Sequence, residues 1–175
     1  MKGHPGGREH TLRMLSLGGL AAGSRILDMG AGDGTGVALM KEQGYDAFGI
    51  DLCPRGVNVI KGNFLETGWE GACFDGILSQ CAFYQSGDVA SALREAYRLL
   101  KPGGVLMVSD VWFTDPGPLL RDAGFQVEVL EDMTPAWKEY YIEAIWRGTA
   151  ACVSGKGKCG YLLLICRKKG QYGSA

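Results

Sequence analysis

Apolar residues along this chain fall in short continuous runs rather than in strict alternation. Residues 25–29 form one run ending at Gly30, and residues 47–50 form another ending at Asp51. Runs at 57–60, 74–79 and 104–109 follow. Unbroken runs of this length suit strands buried on both faces of a parallel sheet. Helical spacing lies between several of them. Residues 35–43 place Val37, Leu39, Met40 and Gln43 at that spacing and stop at Gly44. Residues 88–100 are clearer: Asp88 caps the start, and Val89, Ala92, Leu93, Ala96, Leu99 and Leu100 form one stripe. Pro102-Gly103-Gly104 then turns the chain into the next strand. This alternation predicts an α/β fold with right-handed crossovers.

The C-terminal third reads differently. A short helix is expected over 116–123, stopped by Gly124, then a strand over 125–131. Residues 135–149 put Trp137, Tyr141, Ala144, Ile145 and Gly148 on one helical face. A loop, Ser154-Gly155-Lys156-Gly157, precedes a final strand over 160–166. One connection is unusual. Only residues 52–56 separate Asp51 from the third run, too few for a packed helix with two turns. The helix expected after the second strand is therefore missing, and the sheet face beside it loses cover. The chain reads as a single domain over 1–175, with 1–22 as a leader and lid helix and 132–159 as a helical insertion. The aromatic helix of that insertion suits a substrate-side lid, a homodimer face or packing remote from any site.

Charge and composition narrow the function. Eighteen basic against nineteen acidic side chains leave a formal charge of −1, with no global pull toward nucleic acid or a membrane surface. No apolar stretch spans a bilayer and no secretory core is visible, so a cytoplasmic protein with reduced cysteines is expected. None of the six cysteines forms a C-x-x-C pair, which argues against zinc, and no metal is expected. Glycine stands out at 28 residues, placed at the ends of apolar runs, where turns and close backbone approaches need it.

The most informative of these glycines follow the first run: Asp28-Met29-Gly30-Ala31-Gly32-Asp33-Gly34-Thr35-Gly36. A strand entering alternate glycines and then a helix offers unpaired N–H groups to a ligand. The spacing is not G-x-G-x-x-G, and no G-K-[ST] is present, so neither a dinucleotide fingerprint nor a triphosphate loop fits. An acid lies on the strand itself, and Asp51 ends the next run, where a carboxylate can accept from both hydroxyls of a ribose.

On these residues the chain resembles the class I S-adenosylmethionine-dependent methyltransferases. Residues 28–34 match that family's glycine motif, and Gly49-Ile50-Asp51-Leu52 matches its ribose-binding strand end. Lys61-Gly62-Asn63-Phe64 falls at its adenine position, residues 74–79 at its fourth strand, and residues 99–106 at its helix-to-strand turn. The likeness covers residues 23–131 and the final strand, and the His-Pro-Gly-Gly leader is similar to that of a bacterial subgroup. The resemblance implies a doubly wound, Rossmann-like, seven-stranded, mostly parallel sheet in the order 3-2-1-4-5-7-6. Residues 160–166 would be its one antiparallel strand. It further implies that S-adenosyl-L-methionine is the cofactor and S-adenosyl-L-homocysteine the product. Asp28, Gly30, Ala31 and Gly32 would lie at the methionine end and Asp51 on the ribose hydroxyls. Leu52, Asn63 and Phe64 would hold adenine, with Gln80 and Cys81 at the methyl-transfer point. Asn63 stands where the family often has Asp, yet keeps an acceptor for the adenine amino group.

Methyl transfer asks mainly that a nucleophile be held in line with water excluded. A hydroxyl acceptor would also need a base, for which His10 and Tyr84 are the candidates, with His4 a further histidine in the leader. The stretch Ser79-Gln80-Cys81-Ala82-Phe83-Tyr84 lacks the Pro-Pro of nucleobase amino methyltransferases, which favours a small-molecule acceptor. The alternatives are a cofactor-binding pseudo-enzyme or binding module, and an RNA methyltransferase.

Overall fold

The computed structural model describes residues 4–148 and 158–169. The elements follow in order. Helix α1 (Gly7–Gly18) is followed by β1 (Arg25–Met29), α2 (Thr35–Glu42), β2 (Asp46–Asp51), β3 (Ile60–Lys61) and β4 (Phe74–Gln80). Then come α3 (Val89–Leu99), β5 (Leu100–Trp112), α4 (Gly117–Asp122), β6 (Phe125–Asp132), α5 (Thr134–Trp146) and β7 (Gly160–Lys168). One seven-stranded sheet runs β3-β2-β1-β4-β5-β7-β6. Its strands are parallel except β7, which pairs antiparallel with both β5 and β6. This is the order and the direction of the last strand that the resemblance implies.

The continuous apolar runs other than 57–60 are buried on both faces, as their composition requires. On one face α3 lays Ala92, Leu93, Ala96 and Leu99 against Phe74, Ile77 and Leu106. Asp88 caps this helix by accepting from the Ser91 N–H at 2.9 Å. On the other face Met14 and Leu15 of α1 and Val37 and Met40 of α2 close over Ile26, Met107 and Ile165. No helix among the described residues is long and apolar enough to cross a membrane.

Three expectations change. Of the run 57–60, only Ile60 enters a strand: β3 is two residues long, paired as Ile50 with Ile60 and Asp51 with Lys61. No helix lies between β2 and β3. The connecting loop itself covers the sheet there, with Val59 buried against Gly34, Val37 and Gly49. The same loop leaves Leu52 and Val57 exposed, as is Ile60 of β3. Pro102-Gly103-Gly104 lies inside β5 rather than before it, as a bulge between the pairs Phe74–Leu100 and Gly76–Val105. On α5, Trp137 and Ala144 are buried but Ile145 is exposed, so the inward stripe is narrower than the sequence suggests. The 154–157 loop and Cys152 lie outside the described residues.

Candidate active site

The site forms where β1, β2 and β4 deliver their C-terminal ends to one cavity of about 760 Å³. Such ends leave backbone groups without strand partners, and the crevice beside them is the usual ligand position in α/β sheets. The chain must leave β1 and reverse into α2 within five residues. Gly30 (φ 90°), Gly32 (φ 54°) and Gly34 (φ 80°) make that possible with left-handed backbone. The Gly30 and Ala31 N–H groups both donate to the Ile50 carbonyl, tying the turn to β2.

Asp28, Asp33 and Asp51 all line the cavity. Asp51 braces the turn: Oδ2 accepts from the Gly32 N–H at 2.9 Å and Oδ1 from the Cys53 N–H at 2.8 Å. Each oxygen keeps a second lone pair, so the carboxylate can still accept from a diol. Asp28 is buried on β1. Burial first, then the neighbouring Asp51 and Asp33 carboxylates, push its pKa up to about 7. A nearly dry carboxylate facing a cavity beside two other acids is a place for a positive charge.

On the far side of the cavity, Asn63 accepts from the Leu65 N–H at 3.0 Å, which shapes the turn and leaves its amide nitrogen available. Phe64 is buried and stacks on Phe83, forming a flat apolar wall. Leu52 lines the cavity but is mostly exposed.

At the remaining end Gln80 and Cys81 follow β4. Cys81 takes a left-handed backbone conformation (φ 55°), and its Sγ lies 3.2 Å from the Tyr161 hydroxyl. Burial pushes the Cys81 thiol up to about 12, so it stays neutral and is a poor nucleophile. Tyr161 in turn reaches Ser109 Oγ at 3.0 Å and stacks on Trp137. Trp137 and Tyr141 therefore pack with Tyr161 behind the wall that Cys81 forms, rather than on the cavity surface.

The structure brings Asp28, Gly30, Ala31, Gly32, Asp51, Leu52, Asn63, Phe64, Gln80 and Cys81 to this one cavity. It places neither His10 nor Tyr84 among the residues that line it. His10 is buried on α1 with Nε2 unpartnered among the described residues, and burial lowers its pKa to about 4. Tyr84 packs against Phe113, and its N–H donates to Asp110. His4, Arg8, Thr11 and Arg55 also line the cavity. No local pattern marks the last three, because α1 and the short β2–β3 loop reach the cavity only through tertiary packing. Among the described residues no group of three or more His, Cys, Asp and Glu could hold a metal ion.

Comparison with known proteins bears on the family and the fold. Residues 27–108 match a methyltransferase domain family. An arsenite methyltransferase of Aquipseudomonas alcaligenes is 62% identical over 39 residues, covering 22% of this chain and 11% of that protein. A malonyl-[acyl-carrier protein] O-methyltransferase of Serratia marcescens is 28% identical over 107 residues, 55% of this chain and 42% of that protein. The chain thus spans less than half the length of these curated relatives. Among solved structures, phosphoethanolamine N-methyltransferase 2 of Haemonchus contortus, in complex with S-adenosyl-L-methionine, superposes with a TM-score of 0.77. That match is 19% identical and covers 95% of this chain and 54% of the other, which establishes a shared fold.

Proposed function

We propose, for a chain that belongs to the class I S-adenosylmethionine-dependent methyltransferases, that it transfers the methyl group of S-adenosyl-L-methionine to a small-molecule acceptor. The observation that carries this reading is the convergence of Asp28, Asp51 and the neutral Gln80–Cys81 pair on one cavity. Its donor set fits the cofactor: a buried carboxylate for an ammonium, a carboxylate with spare lone pairs for a ribose diol, and an apolar wall with an amide for adenine. When bound, the cofactor supplies a methyl group made electrophilic by the adjoining sulfonium. Asp28 holds and orients the amino end. Asp51 holds the ribose while bracing the glycine turn, and Asn63 and Phe64 seat the base. Helix α1, crossing the cavity through Gly7, Arg8 and Thr11, excludes water from the acceptor side.

A small acceptor suits a cavity partly roofed by α1 in a chain of net charge −1. The relatives named above are an arsenite, an O- and an N-methyltransferase, so their names support the methyl-transfer chemistry and not one acceptor. Mass spectrometry of the purified protein should find S-adenosylmethionine or S-adenosylhomocysteine, or calorimetry should show stoichiometric binding of the latter. Absence of both would overturn the reading.

The raised pKa of Asp28 gives a pH-dependent prediction. Unfolded, the carboxyl ionises near 3.8; folded, it keeps its proton to about 7. Across that window the folded state binds the extra proton, so this group's contribution to stability falls as pH rises. A ligand bringing an ammonium reverses the preference and expels the proton. Affinity for S-adenosylhomocysteine should therefore rise between about pH 5.5 and 7, by up to roughly tenfold per unit. Calorimetry in two buffers of different ionisation enthalpy should show proton release, and Asp28→Asn should flatten both effects.

Helix α5 is proposed to support the acceptor-side wall, because it packs behind Cys81 and Tyr161. On this reading Tyr140→Ala, at a residue near enough to Cys81 to feel its charge when ionised, raises the acceptor KM while S-adenosylhomocysteine affinity stays within about twofold, and Trp146→Ala, at an exposed position, changes neither. Equal effects of Tyr140→Ala on both quantities would count against it.

A further inference from the structure

Three polar side chains, one from the leader, one from α1 and one from the end of β4, close a hydrogen-bonded ring at the cavity. Thr11 Oγ1 donates to Gln80 Oε1 at 3.1 Å, across 69 residues of chain. Gln80 Nε2 meets His4 Nδ1 at 3.2 Å and Met14 Sδ at 3.5 Å. His4 Nε2 returns to Thr11 Oγ1 at 3.1 Å. His4, Thr11 and Gln80 all line the cavity, whereas Met14 is fully buried.

The proton count selects the sense of this ring. Burial holds the His4 pKa below its usual 6.5, so near neutral pH the imidazole carries one proton. The Thr11 hydroxyl also has one, with Gln80 Oε1 nearer than the Gly7 carbonyl at 3.3 Å. Spent on Gln80, it leaves Thr11 Oγ1 as an acceptor toward His4, so Nε2 carries the imidazole proton and donates. Nδ1 then accepts from the Gln80 amide, whose other N–H goes to Met14 Sδ. Every donor has an acceptor, and the bonds run in one direction, the sense in which they reinforce one another. The opposite tautomer would aim its proton at the Pro5 carbonyl, 3.1 Å from Nδ1. It would also force the amide to flip, setting the Gln80 oxygen against Met14 Sδ, acceptor to acceptor.

The ring has a consequence for the cavity. Both N–H groups of the Gln80 amide are committed to the leader and α1, so Gln80 has no donor left for an occupant. It keeps the second lone pair of Oε1. Cys81 beside it is a neutral thiol, and the carboxylates of the cavity belong to Asp28, Asp33 and Asp51.

We propose that His4 and Thr11 are positioning residues that turn the Gln80 carbonyl oxygen onto the sulfonium methyl of the bound cofactor. The inference rests on the methyltransferase reading above. In that reading the ammonium lies at Asp28 and the ribose at Asp51, which leaves the sulfonium between them, beside the Gln80–Cys81 wall. The C–H bonds of a methyl on positive sulfur are polarised, and an amide oxygen accepts from them as from a weak donor. The contact aims the methyl without moving a proton. It is lost once sulfur is a neutral thioether without its methyl. Gln80 therefore distinguishes the charged cofactor from the demethylated product, and only while the leader and α1 hold the amide in place.

Two measurements test this without an acceptor. The chain has two histidines, so nitrogen-15 NMR of the histidine-labelled protein, assigned with His10→Gln, reads His4 directly. Above pH 7 it should be the Nε2–H tautomer. An Nδ1–H tautomer would mean a flipped amide and would overturn the proposal. Calorimetry then compares S-adenosylmethionine with S-adenosylhomocysteine. Thr11→Val keeps the shape and removes the hydroxyl. It should weaken the first ligand about fivefold and the second less than twofold, and Thr11→Ser should restore the difference. His4→Ala, ahead of the first helix, should narrow the preference in the same way. Equal losses for both ligands would mean that the ring only straps α1 over the cavity, and would overturn the positioning role. Unchanged affinities for both would overturn it as well. Failure of the unmodified protein to bind either ligand would overturn the underlying reading instead.

Discussion

Asp51→Ala should weaken S-adenosylhomocysteine binding roughly ten- to a hundredfold, a loss of about 1.5–3 kcal/mol. Two effects add. The variant loses a charge-assisted contact to the ribose diol, and it also frees the Gly32 and Cys53 N–H groups, which Asp51 holds at 2.9 and 2.8 Å. The second effect reaches beyond the contact itself. The Arg55 N–H donates to the Gly32 carbonyl at 2.9 Å, so the loop replacing the missing helix is strapped to the same turn. Asp51→Asn separates the two, because an amide keeps the side-chain shape and one acceptor but removes the charge. Its affinity should fall between those of Asp51→Ala and the unmodified protein. Calorimetry decides, and an Asp51→Ala affinity within twofold of the original would sink the assignment.

Gly30→Ala should be strongly destabilising. The residue sits at φ 90°, and a Cβ built there falls 2.2 Å from Ala82 Cβ and 3.7 Å from Phe64 Cε1. Backbone strain costs roughly 1–2 kcal/mol and overpacking a further 1–3, together about 2–5 kcal/mol. For a domain of this size that lowers Tm by roughly 5–15 °C. Gly23→Ala is the control, since Gly23 has φ 80° but nothing within 4 Å of its Cβ position. It should show the strain without the clash. Thermal unfolding of the two variants separates the contributions, and equal losses would mean that Ala82 simply yields. Because Ala82 follows Cys81 on the cavity wall, Gly30→Ala should also abolish measurable cofactor affinity in whatever fraction stays folded.

Asp28, the three left-handed glycines and Asp51 could be read from the sequence because each obeys a local rule. A strand end, a reversal that demands glycine and an acid at the next strand end are all set within a few residues of one another. The missing helix was equally legible, since chain length alone forbids it between Asp51 and residue 57. What filled its place was not. Val59 covers Gly49 and Gly34 only because β3 shrinks to two residues and lets the loop fold inward.

His10 shows the limit from the other side. Both leader histidines are polar residues at a helix start, and no local pattern separates them. In the structure α1 turns His10 into the packed interior and leaves His4 against Gln80, a contact spanning 76 residues. The Cys81–Tyr161 contact spans 80 residues and depends on β7 inserting antiparallel beside β5, with Tyr161 in register with Val111.

Sequence alone thus determined the alternation of elements, the glycine turn and the acids beside it, because hydrophobic period and backbone sterics act over a few residues. Tertiary structure alone decided which histidine meets the cavity, that Asp28 holds its proton to about 7, and that the aromatic helix braces a wall. Those outcomes depend on burial and on the distances between groups far apart in the chain, which exist only once the sheet is assembled and α1 has packed across it.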